Sequence, residues 1–327
     1  MERVHYHLVQ RYVGQWGSKG WWRPAVGLIV GLLMMLVAQV ALLPAFAVVF
    51  LATGDSVDDL GDRLTALGDS SHVTPSMLAY LNLALAAAIP VVLLLTKLFH
   101  GLPAGWITSV AGRIRWRWML VTFGLALVAL VATVVVGSFV PASGDPADSS
   151  GGLNDWTSTT RDFVLVIVLL TPLQAAGEEF AFRGYLTQAF GGLFAPLGPG
   201  VARAFAVLLP AALFALAHGA QDAPVFVDRF AFGLVAGILV IATGGLEAGI
   251  AMHVLNNFLA YGFALAFSDM TSALNPTGGT WWTLPTTLTQ SLVYLALAIW
   301  AARRMGVSST VDGGPAPNVL EASEPRV

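Results

Sequence analysis

Long apolar runs recur along this chain, and each is long enough to cross a lipid bilayer. A membrane-spanning helix needs about 20 mainly apolar residues, because its backbone polar groups must be satisfied within the segment. Of the 327 residues, 56% are hydrophobic and only 11% are charged. We therefore predict an all-α, polytopic transmembrane helix bundle of about eight spans, near residues 25–52, 78–99, 119–140, 162–190, 201–218, 225–243, 246–268 and 284–303.

Polar stretches between the apolar runs divide the chain into regions. A membrane core at 161–268 carries the polar residues discussed below. The other expected regions are a cytoplasmic or interfacial N-terminal segment at 1–24, a three-helix membrane region at 25–140, an extracytoplasmic loop at 141–160, a loop with the last span at 269–304, and a disordered cytoplasmic tail at 305–327.

Basic residues collect on one side of this arrangement. Arg113, Arg115 and Arg117 follow the second span, and Arg303 and Arg304 close the last one, whereas the intervening loops are rich in aspartate. Cytoplasmic loops collect Lys and Arg. We therefore expect a multi-pass protein of the cell membrane with both termini in the cytoplasm.

Charge and cysteine content exclude several classes of function. The net charge is -3, and no basic patch interleaved with aromatic residues occurs, so nucleic acid is not an expected partner. The chain has no cysteine, which removes disulfides, thiolate metal sites and cysteine nucleophiles. Any catalysis must use carboxylate, imidazole, amide or hydroxyl groups, and the expected partner of the whole chain is the lipid bilayer.

Three ionisable residues interrupt the fourth apolar run. Charged side chains in a membrane are costly and mark a functional site by default. Glu179 and Arg183 are i,i+4 neighbours, so we predict an ion pair that leaves Glu178 as the free carboxylate. Gln174 shares the face of Glu178. A structural network inside the bundle is the alternative for such a cluster.

Two histidines also lie in predicted spans. His218 ends the fifth span, four residues after Phe214, and His253 lies in the seventh with Asn257 four residues later. Imidazole and amide therefore share one helix face, about 6 Å apart along the axis. A carboxylate, two imidazoles and an amide are the groups that a hydrolase needs. Arg229 and Asp228 are expected to pair with headgroups or loops.

The motifs Glu-Glu-x-x-x-Arg at 178–183, Phe-x-x-x-His at 214–218 and His-x-x-x-Asn at 253–257 lie in this order on separate predicted helices. Together they resemble the CPBP group of intramembrane proteases, which includes type II CAAX prenyl endopeptidases and bacteriocin-processing or self-immunity proteins. The resemblance covers about residues 160–260, and every motif position is intact. It implies that the core at 161–268 is a catalytic endopeptidase domain acting on a membrane-associated peptide or protein.

The resemblance also implies a role for each residue. Glu178 and His218 would activate the hydrolytic water, and His253 with Asn257 would stabilise the oxyanion. Glu179 and Arg183 would support the site. A second possibility is a zinc site made of Glu178, His218 and His253 with one position open to water; water activation without metal is slightly preferred.

Straight helices place these groups at different depths. His218 lies about 22 Å along its helix from Arg203, near one membrane face, whereas Glu178 lies deeper. Two other functions also remain open. A transporter can carry protons or ions on intramembrane Glu and His, and a non-catalytic scaffold or immunity protein can retain the same residues.

Overall fold

The computed structural model describes residues 3–14, 20–140, 152–219, 222–276 and 279–312. Within these residues, eight helical stretches are long and apolar enough to cross a membrane. The expected all-α bundle is confirmed, and each predicted span overlaps one of these stretches over nearly its whole length. They are Trp22–Thr53, Pro75–His100, Trp116–Gly137, Ser158–Leu197, Pro199–Ala217, Ala223–Thr243, Glu247–Phe267 and Leu284–Met305.

The described helices and strands follow one another along the chain as listed at the end of this paragraph. A π-helical stretch, Glu179–Leu186, separates two of the helices, and two short 3-10 turns cover Tyr6–Leu8 and Ala195–Leu197. The elements are β1 (Arg3–His5), α1 (Val9–Tyr12), α2 (Trp22–Thr53), α3 (Leu60–Ala66), α4 (Pro75–Ala86), α5 (Ala88–His100), α6 (Gly105–Thr108), α7 (Trp116–Gly137), α8 (Ser158–Glu178), α9 (Thr187–Phe194), α10 (Pro199–Ala217), α11 (Ala223–Thr243), α12 (Glu247–Phe267), α13 (Met270–Leu274), α14 (Thr283–Met305) and β2 (Thr310–Asp312).

The second span is interrupted where α4 gives way to α5. Pro90 has no backbone N–H and leaves the carbonyl of Ala86 without its helical donor, which accounts for the break. The backbone of α8 approaches this point closely at Gly177. A Cβ atom built there would lie 2.3 Å from the carbonyl oxygen of Leu85, so only glycine fits. This contact sets the position of the residue that follows, Glu178.

The fourth span is continuous over Ser158–Leu197, a length of 40 residues. It begins with a capping box, in which the Thr157 hydroxyl accepts from the Thr160 backbone N–H at 3.1 Å. At about 1.5 Å per residue, it is roughly twice as long as the hydrocarbon layer is thick. Glu178 therefore lies near the middle of this span, and the π-helical stretch begins at the next residue. π-helical turns inside α-helices occur frequently at functional sites.

The two ends of the described chain meet. Strands β1 and β2 pair antiparallel, with Arg3 opposite Asp312. Tyr6 donates a hydrogen bond to the carbonyl of Ile107, and the backbone of His7 packs against Gly191 of α9. Both ends therefore lie on the same side of the bundle, as an even number of spans requires. That this side is the cytoplasm stays a prediction.

The ordered ends differ from the expected domain limits. A disordered tail is expected from residue 305. In the structure α14 continues to Met305, and Thr310–Asp312 form β2. Strand pairing with β1 stabilises this part of the tail, and such long-range pairing leaves no local signal in a Gly- and Ser-containing segment. Residues 313–327, and 141–151 of the predicted extracytoplasmic loop, lie outside the described residues.

Two apolar clusters surround the polar centre of the bundle. One includes Leu95, Phe180 and Ile250, and the other includes Phe214, Phe232 and Met252. Phe182, from the π-helical stretch, packs against both clusters. The side chains of Glu179 and Arg183 lie between them and are fully buried.

Candidate intramembrane active site

A buried ion pair joins Glu179 and Arg183 at the centre of the bundle. Glu179 Oε1 lies 3.1 Å from Arg183 Nη1, and neither side chain has exposed surface. The guanidinium lies over the ring of Phe214, 4.2 Å from its centroid, which is a cation–π contact. The predicted i,i+4 pair is present although the backbone between the two residues is π-helical. Each charge compensates the desolvation of the other.

The imidazole of His253, on α12, lies between the two glutamates. Its Nδ1 atom is 3.0 Å from Glu179 Oε1, and its Nε2 atom is 3.3 Å from Glu178 Oε2. A carboxylate on one ring nitrogen fixes the orientation of the ring. Glu179 therefore holds His253 so that Nε2 faces Glu178. Among the predicted site residues, Glu178, Glu179, Arg183 and His253 form one contiguous cluster.

A glycine on α12 makes room for this cluster. A Cβ atom built at Gly249 would lie 2.6 Å from Glu179 Oε2, well inside ordinary contact distance. Gly249 lies one turn before His253 on the same helix, so the two residues face Glu179 together. The close approach of α12 to Glu179 thus depends on the absence of a side chain at this position.

Asn257 lies one turn beyond His253 and bonds to the helix that carries Glu178. Its Nδ2 atom donates to Gln174 Oε1 at 3.0 Å. Gln174 is buried and sits one turn before Glu178, as its spacing predicted. An asparagine amide has two N–H donors, so the bond to Gln174 fixes the direction of the group and leaves a second N–H. Nε2 of His253 and the second N–H of Asn257 therefore lie along one face of α12.

His218 lies beside this cluster rather than inside it. Its Nδ1 atom donates to the Phe214 carbonyl at 2.7 Å, and its ring packs edge-on against the Phe214 ring, 4.6 Å between centroids. The same phenyl ring is 5.8 Å from the His253 ring. With the proton on Nδ1, the lone pair of the neutral imidazole is on Nε2, as a general base requires.

The Phe214 ring is thus a common neighbour of His218 and His253. Within the described chain, no hydrogen bond joins His218 directly to Glu178, and His218 is exposed at the C-terminal end of α10. The difference in depth between His218 and Glu178 that straight helices would give stays a prediction.

Glu178 also lines a cavity of about 540 Å³. It is the one charged side chain among the described residues of the lining, and its Oε2 atom is buried without a hydrogen-bond partner. The other lining residues are apolar apart from Tyr185, and they come from four spans. They are Gly27, Leu28, Gly31, Leu32 and Met35 of α2, Leu85 of α4, Ala88, Val91, Val92 and Leu95 of α5, Ala181, Phe182 and Leu186 of the π-helical stretch, and Leu213, Leu216 and Ala217 of α10.

The side chains as placed do not form a metal site. No group of three or more His, Cys, Asp or Glu side chains is arranged to hold a metal ion in the part of the chain that the structure describes. Both ring nitrogens of His253 face carboxylates, and Nδ1 of His218 is bonded to a carbonyl. The zinc alternative would need Glu178, His218 and His253 to rearrange.

Sequence reasoning missed the position of Arg229. It was expected at headgroups or loops, but it is half-buried on α11, three residues before Phe232, whose ring lies 5.2 Å from the His253 ring. Its distance from the motifs in sequence, and the lack of a spacing pattern, gave no signal of this. The roles of Gly177 and Gly249 could not be predicted for a different reason. A glycine indicates a close contact only when the atoms facing it are known, here the Leu85 carbonyl and the Glu179 carboxylate.

The fold and site together define a class: a multi-pass, all-α membrane protein in which two buried glutamates, an arginine and a histidine form a cluster within the helix bundle. Residues 160–259 match the family model of the Rce1-like type II CAAX prenyl endopeptidases. The resemblance drawn from the three motifs is thereby confirmed over residues 160–259.

One curated relative is the uncharacterized protein YyaK of Bacillus subtilis (strain 168). It is 26% identical over 208 residues, which are 59% of this chain. The alignment spans 65% of the length of YyaK. No solved structure matches the chain.

Proposed function

We propose that this protein is an intramembrane endopeptidase that hydrolyses a peptide bond of a membrane-associated protein or peptide. The observation that supports this most directly is that Glu178 lines an apolar cavity and also faces His253 at 3.3 Å. A carboxylate and an imidazole from two helices meet where an apolar substrate segment has room. The Rce1-like family match supports the same class of activity.

Glu178 and His218 activate water in this proposal. The Phe214 carbonyl holds the His218 proton on Nδ1, so Nε2 accepts a proton from a water that lies between it and Glu178. General bases of this kind contribute about 10²–10⁴-fold to a rate. The water oxygen bonds to the substrate carbonyl carbon, the abstracted proton passes to the leaving nitrogen, and the C–N bond breaks.

His253 and Asn257 stabilise the oxyanion that forms in this step. This role requires the imidazolium form of His253, in which Nδ1–H donates to Glu179 and Nε2–H donates to the substrate oxygen. Gln174 accepts one amide N–H of Asn257 and leaves the other for the same oxygen. Donors fixed before the reaction stabilise developing charge by about 2.7–4 kcal/mol each. Arg183 acts through Glu179, which it contacts at 3.1 Å, and supports the position of that carboxylate.

The cavity between α2, α5, α10 and the π-helical stretch accepts the apolar part of the substrate. Its lining is almost entirely hydrocarbon and Glu178 lies in its wall. A substrate anchored in the bilayer would therefore bring its peptide bond to Glu178 while its apolar segment stays out of water.

Cleavage of quenched, membrane-anchored peptides by the purified protein in proteoliposomes tests the proposal. Glu178→Gln and His218→Ala should each lower kcat by about 100-fold or more, because each removes part of the base. Asn257→Ala should cost about 10²–10³-fold. The control is Asp162→Asn, the same acid-to-amide change at an exposed site on the same helix, which should have wild-type activity. Absence of cleavage, or cleavage that Glu178→Gln leaves unchanged, would exclude the protease and favour a transporter or scaffold.

A chelator separates the two ways of activating water. Because the described side chains do not form a metal site, cleavage should persist after treatment with 1,10-phenanthroline and dialysis. Loss of cleavage that added zinc restores would instead support the alternative with Glu178, His218 and His253 as ligands.

A further inference from the structure

A polar stripe, made of Thr171, Gln174 and Glu178, runs along one face of α8. The three residues are three and four positions apart, so their side chains point the same way. All three are buried, although this part of the chain is long and apolar enough to span a membrane. Polar groups inside a helix bundle are unfavourable unless they have hydrogen-bond partners. The partners of these atoms therefore decide what the polar stripe does.

Asn82, on α4, meets the polar stripe at the end away from Glu178 and is 1% exposed. Its Nδ2 atom donates to Thr171 Oγ1 at 3.1 Å, whereas its Oδ1 atom is buried without a hydrogen-bond partner among the described residues. Turning the amide by 180° would not change this balance, because Oδ1 would then accept from the Thr171 hydroxyl and the NH2 group would be left. One half of the amide is thus available to a buried water, which is the usual partner of such groups.

The same pattern continues toward Glu178. Gln174 accepts from Asn257 with Oε1, and its NH2 group carries two donors for another acceptor. The Oε2 atom of Glu178 is buried and has no hydrogen-bond partner within the described chain. Three and four residues of helix rise about 4.5 and 6 Å, and a water with two hydrogen bonds of about 2.8 Å spans a similar distance, about 5.6 Å. Single waters can therefore connect Thr171 with Gln174 and Gln174 with Glu178.

Helix α4 encloses the polar stripe on one side. Three residues after Asn82, the Leu85 carbonyl meets Gly177, so α4 and α8 stay in contact up to the residue before Glu178. The adjoining cavity is, in contrast, lined almost entirely by hydrocarbon, and apolar cavities stay dry. Peptide hydrolysis consumes one water for each bond that is cut. The polar stripe is therefore better suited than the cavity to hold that water.

We propose that Asn82, Thr171 and Gln174 form a water-binding site that supplies the hydrolytic centre at Glu178. The three are positioning residues, because they act through the water that they bind. The water moves about 6 Å from Gln174 to Glu178. Its hydroxyl then bonds to the substrate carbonyl carbon, and its other proton passes to the leaving nitrogen as the C–N bond breaks. This inference rests on the proposed endopeptidase activity. Asn82 lies outside residues 160–259, so the N-terminal membrane region contributes to the site.

A hydrogen bond that only joins α4 to α8 is the alternative, and Asn82→Leu separates the two. This variant replaces the amide by an apolar group of similar size and removes an unpaired atom, so the thermal unfolding midpoint should be at or above the wild-type value. In proteoliposomes kcat should fall about 3–10-fold, the effect of one hydrogen bond, with KM unchanged. Asn82→Ser should recover most of kcat, because the smaller side chain leaves room for another water. A purely structural bond predicts a lower unfolding midpoint in Asn82→Leu and no recovery of kcat by serine.

Thr171→Val should lower kcat in the same range, because it removes the hydroxyl that contacts Asn82. The matched control is Thr96→Val. Thr96 is equally buried, but its hydroxyl donates to the Val92 carbonyl of its own helix at 2.8 Å. The control should therefore keep the wild-type kcat.

The water can also be detected without any cleavage. The chain has no cysteine, so the S–H stretching band of one introduced thiol is unambiguous in the infrared spectrum. In D2O the thiol of Thr171→Cys should exchange to S–D about 10-fold or more faster than that of Ile167→Cys, because exchange at a dry site requires local opening. Ile167 is the matched position, since it is buried one turn earlier on the same helix. Adding Asn82→Leu to Thr171→Cys should slow the exchange.

The outcomes separate this inference from the function on which it rests. If the two thiols exchange at the same rate, or if Asn82→Leu keeps the wild-type kcat, the water-binding site is refuted and the endopeptidase stands. If exchange at Thr171→Cys is fast but the wild type cleaves no peptide, the endopeptidase is refuted, and the supply of hydrolytic water with it. Should Thr171→Cys fail to fold, the kinetics and unfolding of Asn82→Leu decide.

Discussion

Adding one methyl group at Gly249 should disable the site without changing any ionisable residue. A Cβ atom at this position would lie 2.6 Å from Glu179 Oε2, about 0.8 Å short of the 3.4 Å at which ordinary contact begins. Glu179 must therefore move, or α12 must move away from it. Either shift disturbs the 3.0 Å contact between Glu179 Oε1 and His253 Nδ1, and the 3.1 Å contact to Arg183.

The expected loss of kcat in Gly249→Ala follows from the sensitivity of catalysis to the positions of the catalytic groups. A displacement of about 1 Å can cost about 100-fold in rate, so we expect Gly249→Ala to lower kcat by roughly 10–100-fold in the proteoliposome assay. The matched control is Gly262→Ala on the same helix, where an added Cβ atom meets nothing within 4 Å. That variant should keep full activity, and as an exposed helical glycine replaced by alanine it should be about 0.5–1 kcal/mol more stable.

The reasoning is refuted if Gly249→Ala is folded, by thermal unfolding in detergent, and as active as Gly262→Ala. Such a result would mean that the Glu179 carboxylate adapts freely, and that its hold on His253 has no part in catalysis.

Two further predictions concern the side of the bundle where the chain ends meet. Arg115 makes two hydrogen bonds to the carboxylate of Glu247, whose side chain is 2% exposed. Arg115→Met should therefore lower the free energy of unfolding by about 3 kcal/mol, because it leaves a buried charge without its partner. The double variant Arg115→Met with Glu247→Gln should recover much of this loss, because it also removes the charge. Arg63→Met, which breaks an exposed pair with Asp55, is the control and should cost about 1 kcal/mol or less; equal losses would contradict the argument. Burial lowers the pKa of His7 from 6.5 to about 4, so the unfolded chain binds a proton that the folded protein excludes. His7 should therefore reduce stability progressively as the pH falls from 6.5 to about 4, by about 3 kcal/mol in total, with full stability above this window. Thermal unfolding of His7→Phe should show a weaker pH dependence there than the exposed-site control His72→Phe, and identical curves would exclude the effect.

The spans and the polar motifs could be predicted because each leaves a local signal. A run of about 20 apolar residues is visible regardless of what it packs against. Glu178, Arg183 and His253 stood out because an ionisable group in such a run is unfavourable without a partner. The prediction that they lie close together depends on the three motifs occurring in one chain. In the structure, four of the six predicted site residues are in direct contact, namely Glu178, Glu179, Arg183 and His253.

The remaining features depend on contacts between segments far apart in sequence. The π-helical stretch at Glu179–Leu186 lies inside a continuous helical run, and the packing of its Phe182 against both apolar clusters involves residues far away in sequence. Gly249 matters only because Glu179 comes from another helix. The position of Arg229 depends on how α11 faces α12, which a pattern of apolar residues does not determine in a helix that is apolar on nearly every side.

The main interaction of Glu247 is with a residue far away in sequence, which its local position does not indicate. Glu247 is the first residue of α12, where a carboxylate interacts favourably with the helix dipole. Its carboxylate, however, is engaged by the backbone N–H and the guanidinium of Arg115. The same guanidinium donates to the carbonyls of Thr243 and Ser308. Arg115 therefore connects its own loop to residues 243–247 and to the segment that follows α14.

The pairing of β1 with β2 has a consequence for biosynthesis. Arg3 emerges from the ribosome first and its strand partner Asp312 some 300 residues later, so the small sheet closes only after every span has been translated and inserted. Until Asp312 has been synthesised, β1 has no strand partner, whereas Glu178 and His253 have already been translated. Pairing of the two strands therefore follows synthesis of all the residues that form the proposed active site.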